Sequence, residues 1–311
     1  MVDPRVVGKH QSHVIREKQK VDKSKTRIKK RKERKKSGLP AGIPHTLESL
    51  RKPDETFTDK KDDDLVAEHK QDELSDIYTG SVTPKVLVTH SDRCCPKTVS
   101  FCREFSQVIP NATFTARWHS SIKKLIPKAI ENEYTTIFVF GEDKKKINNV
   151  VVTHLPNGPT LTYKITNLMR SREFKKNRGK DAEFEYSAIP QLLTMRFSTR
   201  VGVRVERSLG AIFPEESRVE KPKGHNRAVV FHNQRDYIFF RHYRYQHRGN
   251  SGVEGEEDAK NNERVVTNEI GPRFTLKLLS IQMGTFDSKF GNYEWVRKRK
   301  DMDNSRRSFL I

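Results

Sequence analysis

The sequence predicts an α/β protein with two comparable halves and a basic extension at each end. Three observations predict this class: short apolar runs alternate with segments of helical spacing, one strand pattern occurs twice, and charge is concentrated outside the apolar part. The 311 residues include 61 Lys and Arg but only 40 Asp and Glu, which gives a net charge of +21. Only 33% of the residues are hydrophobic, so we expect unfolded tails and a polyanionic partner.

The N-terminal extension, residues 1–40, is the most basic part of the chain. Residues 1–36 contain fifteen Lys and Arg against four Asp and Glu. The densest run includes four consecutive basic residues: Lys29, Lys30, Arg31 and Lys32. Such a run repels itself and buries little apolar surface, which predicts disorder and fits a nuclear-import signal. One apolar residue in every seven, from Val7 to Ile28, leaves open a helix that forms on nucleic acid.

Residues 41–83 are predicted to be a linker with a short helix and an acidic stretch. Between positions 54 and 76 there are ten Asp and Glu against three Lys. A stretch of this composition is typically solvated, and its charge is also suited to shielding the basic extension. The folded region is expected at 84–286, with a flexible acidic insertion at 249–270 and a basic C-terminal tail at 287–311.

The first half of the folded region alternates predicted strands and helices. Strands are expected where apolar residues form short runs, and a hairpin is expected around the turn sequence Pro-Asn-Gly-Pro at 156–159. Pro127 is expected to kink the last helix. In order, the elements are a strand at 85–90, a helix at 97–109, a strand at 112–118, a helix that begins after Ser120 or Ser121, a strand at 136–140, and hairpin strands at 150–154 and 161–165.

The second half repeats this theme. The predicted elements are a helical stretch at 209–213, strands at 228–232, 237–245 and 274–278, and a turn at 233–236. The strand pattern Leu-Thr-Tyr-Lys-Ile at 161–165 is echoed by Phe-Thr-Leu-Lys-Leu at 274–278. This echo predicts an internal duplication.

Motifs that carry catalysis are absent from the sequence. It has no Gly-rich phosphate loop, no nucleophile elbow and no zinc-binding His pair. The cysteines, Cys94, Cys95 and Cys102, lack metal-ligand spacing and are expected to pack at a strand–helix junction. For His232 and Asp236, which flank a turn, a structural hydrogen bond is expected rather than an acid–base pair. We therefore predict no enzyme, no catalytic residue, no metal or cofactor and no small-molecule substrate. The chain has no run of eighteen apolar residues, so no membrane partner is expected either.

Aromatic and basic side chains alternate along one predicted strand. Five of them share one face: Tyr237, Phe239, Arg241, Tyr243 and Tyr245. RNA bases stack on aromatic rings and on guanidinium planes, so this pattern favours RNA binding. The alternative is that Phe239 and Phe240 are core and only the end of the strand is exposed, and for the first half of the strand we expect core. Further basic clusters lie at 170–180 and 297–307.

The stretch from Thr199 to Pro214 resembles the signature of Brix-domain proteins. It reads Thr-Arg-Val-Gly-Val-Arg-Val-Glu-Arg-Ser-Leu-Gly-Ala-Ile-Phe-Pro and has Glu206 where that family usually has Gly. Further matches are the opening strand at 84–91, the hairpin at 154–160 and the stretch at 231–241. The stretches at 271–277, 284–287 and 293–295 are similar to the ribosome production factor branch of the family.

The resemblance implies two similar halves, each like the anticodon-binding domain of class II tRNA synthetases. It also implies a non-enzymatic role in the nucleus and nucleolus: binding precursor ribosomal RNA in early large-subunit (pre-60S) particles, with a dedicated protein partner and other assembly proteins. The candidate RNA-binding residues are Lys29, Lys30, Arg31, Lys32, Arg200, Arg204, Arg207, Arg235, Arg241, Arg244, Arg297, Lys298 and Arg299.

Three alternatives remain open at the level of the sequence. One is a Brix protein of the small-subunit branch that guides a small nucleolar RNA to its target, although the C-terminal matches favour the large-subunit branch. Another is the nucleic-acid-binding module of an RNA-modifying or tRNA-charging enzyme, although the chain has no spare folded length for a catalytic domain. The third is a sigma-like DNA-binding protein.

Overall fold

The computed structural model describes residues 4–38, 45–52, 55–59, 62–174, 189–219, 226–248, 264–287, 290–298 and 309–311. The chain divides into two units, 1–50 and 51–311. In the first unit, α1 (Pro4–Lys36) is a helix of 33 residues. The expectation of a disordered N-terminal extension is therefore corrected for these residues: no Gly or Pro interrupts 9–36, and Lys, Arg, Gln and Glu are good helix formers.

The second unit contains the remaining elements. The helices are α2 (Asp63–Gln71), α3 (Ser75–Tyr78), α4 (Pro96–Ser106), α5 (Ile122–Glu131), α6 (Ser171–Phe174), α7 (Arg200–Gly210) and α8 (Glu215–Arg218). The strands are β1 (Val86–His90), β2 (Ala112–Phe114), β3 (Thr136–Asp143), β4 (Lys146–His154), β5 (Thr160–Met169), β6 (Gln191–Met195), β7 (Arg227–Gln234), β8 (Tyr237–Arg248), β9 (Arg264–Glu269), β10 (Arg273–Gln282) and β11 (Tyr293–Val296). The hairpin around 156–159 is confirmed, and Pro127 lies inside α5 as expected.

The eleven strands of the described ranges belong to one sheet, whose order is β2-β1-β3-β4-β5-β10-β8-β7-β6, with β9 paired to β8 and β11 paired to β10. The order repeats on either side of its centre. In the first half, β1 is parallel to β3, and β3, β4 and β5 follow as antiparallel neighbours. In the second half, β6 is parallel to β7, and β7, β8 and β10 follow in the same way. The halves meet where β5 and β10 pair, so the echoed strand patterns lie side by side, with Lys164 opposite Lys277.

One face of this sheet, here called the inner face, carries the main hydrophobic core. Side chains of α4 and α7 pack on it together with alternate residues of the strands from both halves. Phenylalanine rings fill its centre: Phe240 stacks on Phe274 with ring centroids 4.4 Å apart, and Phe105 contacts both rings. A single core therefore joins the two halves.

The opposite face, here called the outer face, differs between the halves. In the first half, α5 covers it with Ala129 and partly buried apolar neighbours, which pack on Leu87, Ile137 and Val139. In the second half, Phe239 and Arg241 of β8 and Lys277 of β10 lie on this face, and none of them belongs to a hydrophobic cluster with a described helix. The second half therefore has one covered face and one open face.

Histidine 154 links the halves inside the core. It ends β4, and its Nδ1 lies 3.1 Å from the hydroxyl of Thr136, while its Nε2 lies 2.7 Å from the hydroxyl of Ser208 on α7. Complete burial lowers the pKa of His154 to about 3, so the ring is neutral and has one donor and one acceptor for these two hydroxyls.

The predicted insertion and C-terminal tail are partly wrong. Of the insertion at 249–270, residues 249–263 lie outside the described residues, but 264–269 form β9 because their backbone pairs with β8. Of the tail at 287–311, Tyr293–Val296 form β11. At its end, Ile311 is buried, and Asp236 Oδ1 accepts hydrogen bonds from the amides of Leu310 at 2.7 Å and Ile311 at 3.0 Å. Apolar burial and backbone pairing thus hold these segments despite their flanking charges.

Candidate nucleic-acid interface

The helix of the signature stretch, α7, is fixed by its first residues and by its apolar face. Thr199 caps it by accepting a hydrogen bond from the Gly202 amide at 2.9 Å. The same hydroxyl donates to the Leu310 carbonyl at 2.9 Å. Val205 and Leu209 are buried in the inner core. The helix therefore exposes only a narrow strip, which includes Arg200 and Arg204.

These arginines pair with the acidic stretch between 62 and 73. Arg200 contacts Glu68, and Arg204 Nη2 lies 3.0 Å from Glu73 Oε2. Arg207 forms a two-point contact with Asp72, with Nη2 2.8 Å from Oδ1 and Nε against Oδ2. The expectation that this stretch is a solvated linker holds for most of its described side chains, which are exposed, but it misses the packing of α2 and the turn after it: their carboxylates pair with the guanidinium groups of α7, and Leu65 and Leu74 are buried.

Tyr78 reinforces the buried end of this contact. The guanidinium carbons of Arg207 and Arg218 each lie 4.1 Å from the centroid of its ring, and its hydroxyl donates to the Arg207 carbonyl at 2.8 Å. Burial raises the pKa of Tyr78. Arg207 has only 9% of its side chain exposed, against 67% for Arg200. Arg207 is therefore a structural residue in this conformation, and Arg200 is the accessible one.

The open outer face carries the alternating strand. On β8, Tyr237, Phe239, Arg241 and Tyr243 alternate with the core residues Ile238, Phe240 and His242, so the predicted one-sided arrangement is confirmed. Tyr237 is 41% exposed, so the expectation that the first half of the strand is core is wrong for this residue. The rest are half-buried, and burial raises the pKa of Tyr243 and Tyr245. Their neutral hydroxyls are hydrogen-bond donors at neutral pH.

Neighbouring strands add basic groups to the same face. Lys277 of β10 has its Nζ 3.4 Å from the Tyr237 hydroxyl and 5.0 Å from the centre of that ring, and Lys164 of β5 is its cross-strand neighbour. The guanidinium of Arg241 lies 5.4 Å from the centre of the Phe239 ring. The carboxylate of Glu269 lies beside Arg241, with its Oε1 3.8 Å from the Arg241 Nε. Rings interleaved with cations suit an anion that also has flat π surfaces.

The other predicted residues are scattered. Arg235 is exposed in the turn between β7 and β8, where its φ is 53°, and Lys298 is exposed after β11. Arg244 is half-buried opposite Arg227. Arg297 is paired with Asp236 at 3.7 Å. Lys29, Lys30, Arg31 and Lys32 are exposed on α1, and Arg299 lies outside the described residues.

Sequence reasoning missed Lys164 and Lys277 as site residues. The sequence did contain a signal, because the patterns at 161–165 and 274–278 both have Lys in the fourth position. The pairing of β5 with β10 places these two lysines opposite each other. Asp236 forms its described bonds with Leu310, Ile311 and Arg297 rather than with His232. Cys94 and Cys102 are buried at the junction of β1 and α4, as expected.

Within the described ranges, no helix is long and apolar enough to cross a membrane, and no group of His, Cys, Asp or Glu has the arrangement of a metal site.

Comparison with known proteins decides the family. The model of the Brix domain matches residues 91–280. The chain belongs to the Brix-domain family. It is 40% identical over 309 residues to the probable ribosome production factor 1 of Drosophila melanogaster, covering 97% of this chain and 74% of that protein. It is 38% identical to the ribosome production factor 1 of Pongo abelii, covering 98% of this chain and 84% of the relative.

A solved structure is also similar. The probable ribosomal biogenesis protein from Aeropyrum pernix K1 aligns with a TM-score of 0.44 and 18% identity, covering 69% of this chain and 99% of that one.

Proposed function

We propose that this Brix-domain protein is a non-enzymatic ribosome-assembly factor that binds precursor ribosomal RNA in early nucleolar pre-60S particles and supports its folding and processing. The observation that carries the proposal is the open outer face of the second half, where Tyr237 and Phe239 alternate with Arg241 and lie beside Lys277. The similar proteins are named ribosome production factors, and this is why we assign the protein to ribosome assembly.

The chemistry of the outer face suits single-stranded or irregular RNA. Unpaired bases stack on exposed rings, whereas paired bases in a helix offer no open π surface. Lys164 and Lys277 provide ammonium groups for the phosphates that follow such bases. The affinity is expected to fall steeply as the salt concentration rises, because each neutralised phosphate releases counterions.

We retain Arg200 as a phosphate contact, together with Lys29, Lys30, Arg31 and Lys32 of α1, since all of these side chains are exposed. Arg204 and Arg207 contact RNA only if their pairs with Asp72 and Glu73 open. We propose that the dedicated protein partner and other pre-60S proteins bind the remaining surface. A likeness of each half to the anticodon-binding fold of class II tRNA synthetases fits this proposal.

Crosslinking of the protein to RNA in growing cells, followed by sequencing of the attached fragments, tests the proposal. We expect fragments concentrated on large-subunit precursor RNA, and fewer of them with the double variant Tyr237→Ala, Lys277→Ala. Lys128→Ala on α5 is the matched control, because it removes an exposed lysine from the covered half. Fragments concentrated on small-subunit precursor would move the protein to that branch, and fragments scattered over unrelated RNA would contradict the proposal.

A further inference from the structure

A second aromatic side chain is exposed far from β8 in the sequence. Trp118 follows β2 and is 56% exposed. Its ring meets His90, the last residue of β1, edge to face at a centroid distance of 5.4 Å. An indole is large and mostly apolar, so more than half of it left in water costs free energy unless another molecule covers it.

The loop that carries Trp118 is anchored on both sides of it. The preceding residue, Arg117, is buried, and its Nε donates to the His90 carbonyl at 3.2 Å. The following residue, His119, donates its backbone amide to Asp92 Oδ1 at 3.0 Å, and this bond lowers the pKa of Asp92. The indole is therefore presented by a fixed backbone, which reduces the ordering cost when something stacks on it.

The topology places this loop at a crevice of the sheet. β1 and β2 are parallel neighbours, and the helices that follow them leave to opposite faces: α4 packs on the inner face and α5 on the outer face. In α/β sheets, the carboxyl ends of such strands are where ligands bind. The α4 side of the crevice is already filled, because Glu142 accepts hydrogen bonds from the Cys95 amide at 2.8 Å and the Thr98 hydroxyl at 2.6 Å. On the other side, the Trp118 side chain is exposed.

Exposed cations lie at the same end of the sheet as this crevice. The first turn of α5 contributes Lys123 and Lys124, and the tight turn between β3 and β4, at the same edge of the sheet, contributes Lys144 and Lys145. Arg93 is 82% exposed by side chain and lies 3.6 Å from Asp92. Asp143 is a further exposed acid at this edge. With Trp118, the five cations Arg93, Lys123, Lys124, Lys144 and Lys145 form what we call the basic edge. They outnumber the two exposed acids, Asp92 and Asp143.

We propose that the basic edge is a second RNA contact, where an unpaired base stacks on Trp118 and the adjoining phosphates pair with its cations. An acidic peptide without aromatic side chains would satisfy the charges but offer no flat ring for the indole, whereas every nucleotide carries both a charge and a flat base. This inference rests on the proposed function. It adds a contact in the first half, at the end of the sheet opposite to β6.

Fluorescence of the full chain tests the basic edge directly, because Trp118 and Trp295 are its two tryptophans and Trp295 packs against the core. The probe is a single-stranded oligoribonucleotide of mixed sequence. We expect it to quench the emission of the wild type, and to leave the emission of Trp118→Phe, which comes from Trp295 alone, unchanged.

Affinity measurements give the second readout. Trp118→Ala is expected to lower the affinity for the single strand about tenfold, whereas Trp118→Phe keeps most of it because a phenyl ring still stacks. Phe290→Ala, which removes an 85% exposed ring elsewhere, is the matched control and should leave the affinity unchanged.

The possible failures are distinguishable. RNA binding that neither quenches Trp118 nor weakens in Trp118→Ala overturns the basic edge and leaves the proposed function standing. Equal quenching by a fully paired duplex overturns the assignment to an unpaired base. No binding by any variant, wild type included, overturns the proposed function and this inference with it.

Discussion

The two halves of the sheet share a strand order but not an outer face. In the first half, Ile137 and Val139 lie under α5, whereas the second half presents Phe239 and Arg241 with no described helix over them. A duplicated fold needs one shared core for stability, and here the inner face supplies it for both halves. The outer face of one copy is therefore available for binding. The comparison assigns stability to the covered surfaces and leaves the open one for the RNA contact that we propose.

The largest expected effect lies under α5. Ile137→Ala should lower the free energy of unfolding by about 2–5 kcal/mol, because it removes a fully buried side chain from the contact with the helix. Urea unfolding measures it. Lys277→Ala on the open face serves as the control, with an expected change within about 0.5 kcal/mol. Similar decreases in the free energy of unfolding for both variants would contradict the assignment of stability to the covered face.

The next effect separates two arginines of α7. Arg207→Ala should cost about 3 kcal/mol of stability, because it leaves Asp72 without a two-point partner in a site where both side chains are about 10% exposed. Arg200→Ala, with its solvent-exposed pair to Glu68, should change stability by less than about 0.5 kcal/mol. Thermal and urea unfolding of the two variants, compared at one pH, decide the matter. Equal costs would show that the acidic stretch does not hold Arg207 as described.

The open face is expected to affect binding more than folding. Tyr237→Ala should weaken the binding of single-stranded RNA by about 1–3 kcal/mol, because it removes a stacking surface. Lys277→Ala should weaken it for every sequence and reduce the salt slope by about 1. Filter binding at several salt concentrations measures both. An unchanged salt slope in Lys277→Ala would remove this lysine from the interface.

The last prediction concerns the contact of His154 with Thr136 and Ser208 and depends on pH. His154 has a pKa of about 3 in the folded protein against 6.5 as its ordinary value, so between these pH values the unfolded chain binds a proton that the folded protein does not. The free energy of unfolding therefore falls as the pH drops through this window, by at most about 1.4 kcal/mol per pH unit from this residue.

The control for this pH dependence is the variant His154→Gln. It lacks the titrating ring, so its stability should depend less steeply on pH between 7 and 5 than that of the wild type, whatever its absolute stability. His69 and His232, whose pKa values are also lowered by burial, remain in both proteins and cancel in the comparison. Identical pH slopes would mean that His154 is not buried neutral.

Local patterns predicted most of the strands and the duplication. The apolar runs at 85–90 and 136–140 lie within or close to β1 and β3. The echoed patterns at 161–165 and 274–278 lie in β5 and β10, the strands where the two halves meet. By contrast, β6, β9 and β11 were not predicted, since short edge strands depend on backbone pairing with distant segments more than on their own apolar content.

The candidate site could be predicted from the sequence only where its residues lie on a single strand. Alternation along β8 predicted the aromatic face, because the period of a strand fixes which side chains share a side. The pairing of Arg204 and Arg207 with the acidic stretch was not predictable, since the partners lie about 130 residues apart in the chain and only tertiary structure brings them together. Charge runs therefore indicate a polyanionic partner, which stays a prediction, but they do not indicate which cations are accessible.

The most direct test of the central claim is photocrosslinking of the purified full chain to a large-subunit precursor RNA fragment, followed by mass spectrometry of the crosslinked peptides. We predict adducts on the β8 peptide that contains Tyr237, Phe239 and Tyr243, and none on the α5 residues that face the sheet. Adducts confined to α7 and the acidic stretch, with the β8 peptide unmodified, would contradict the account.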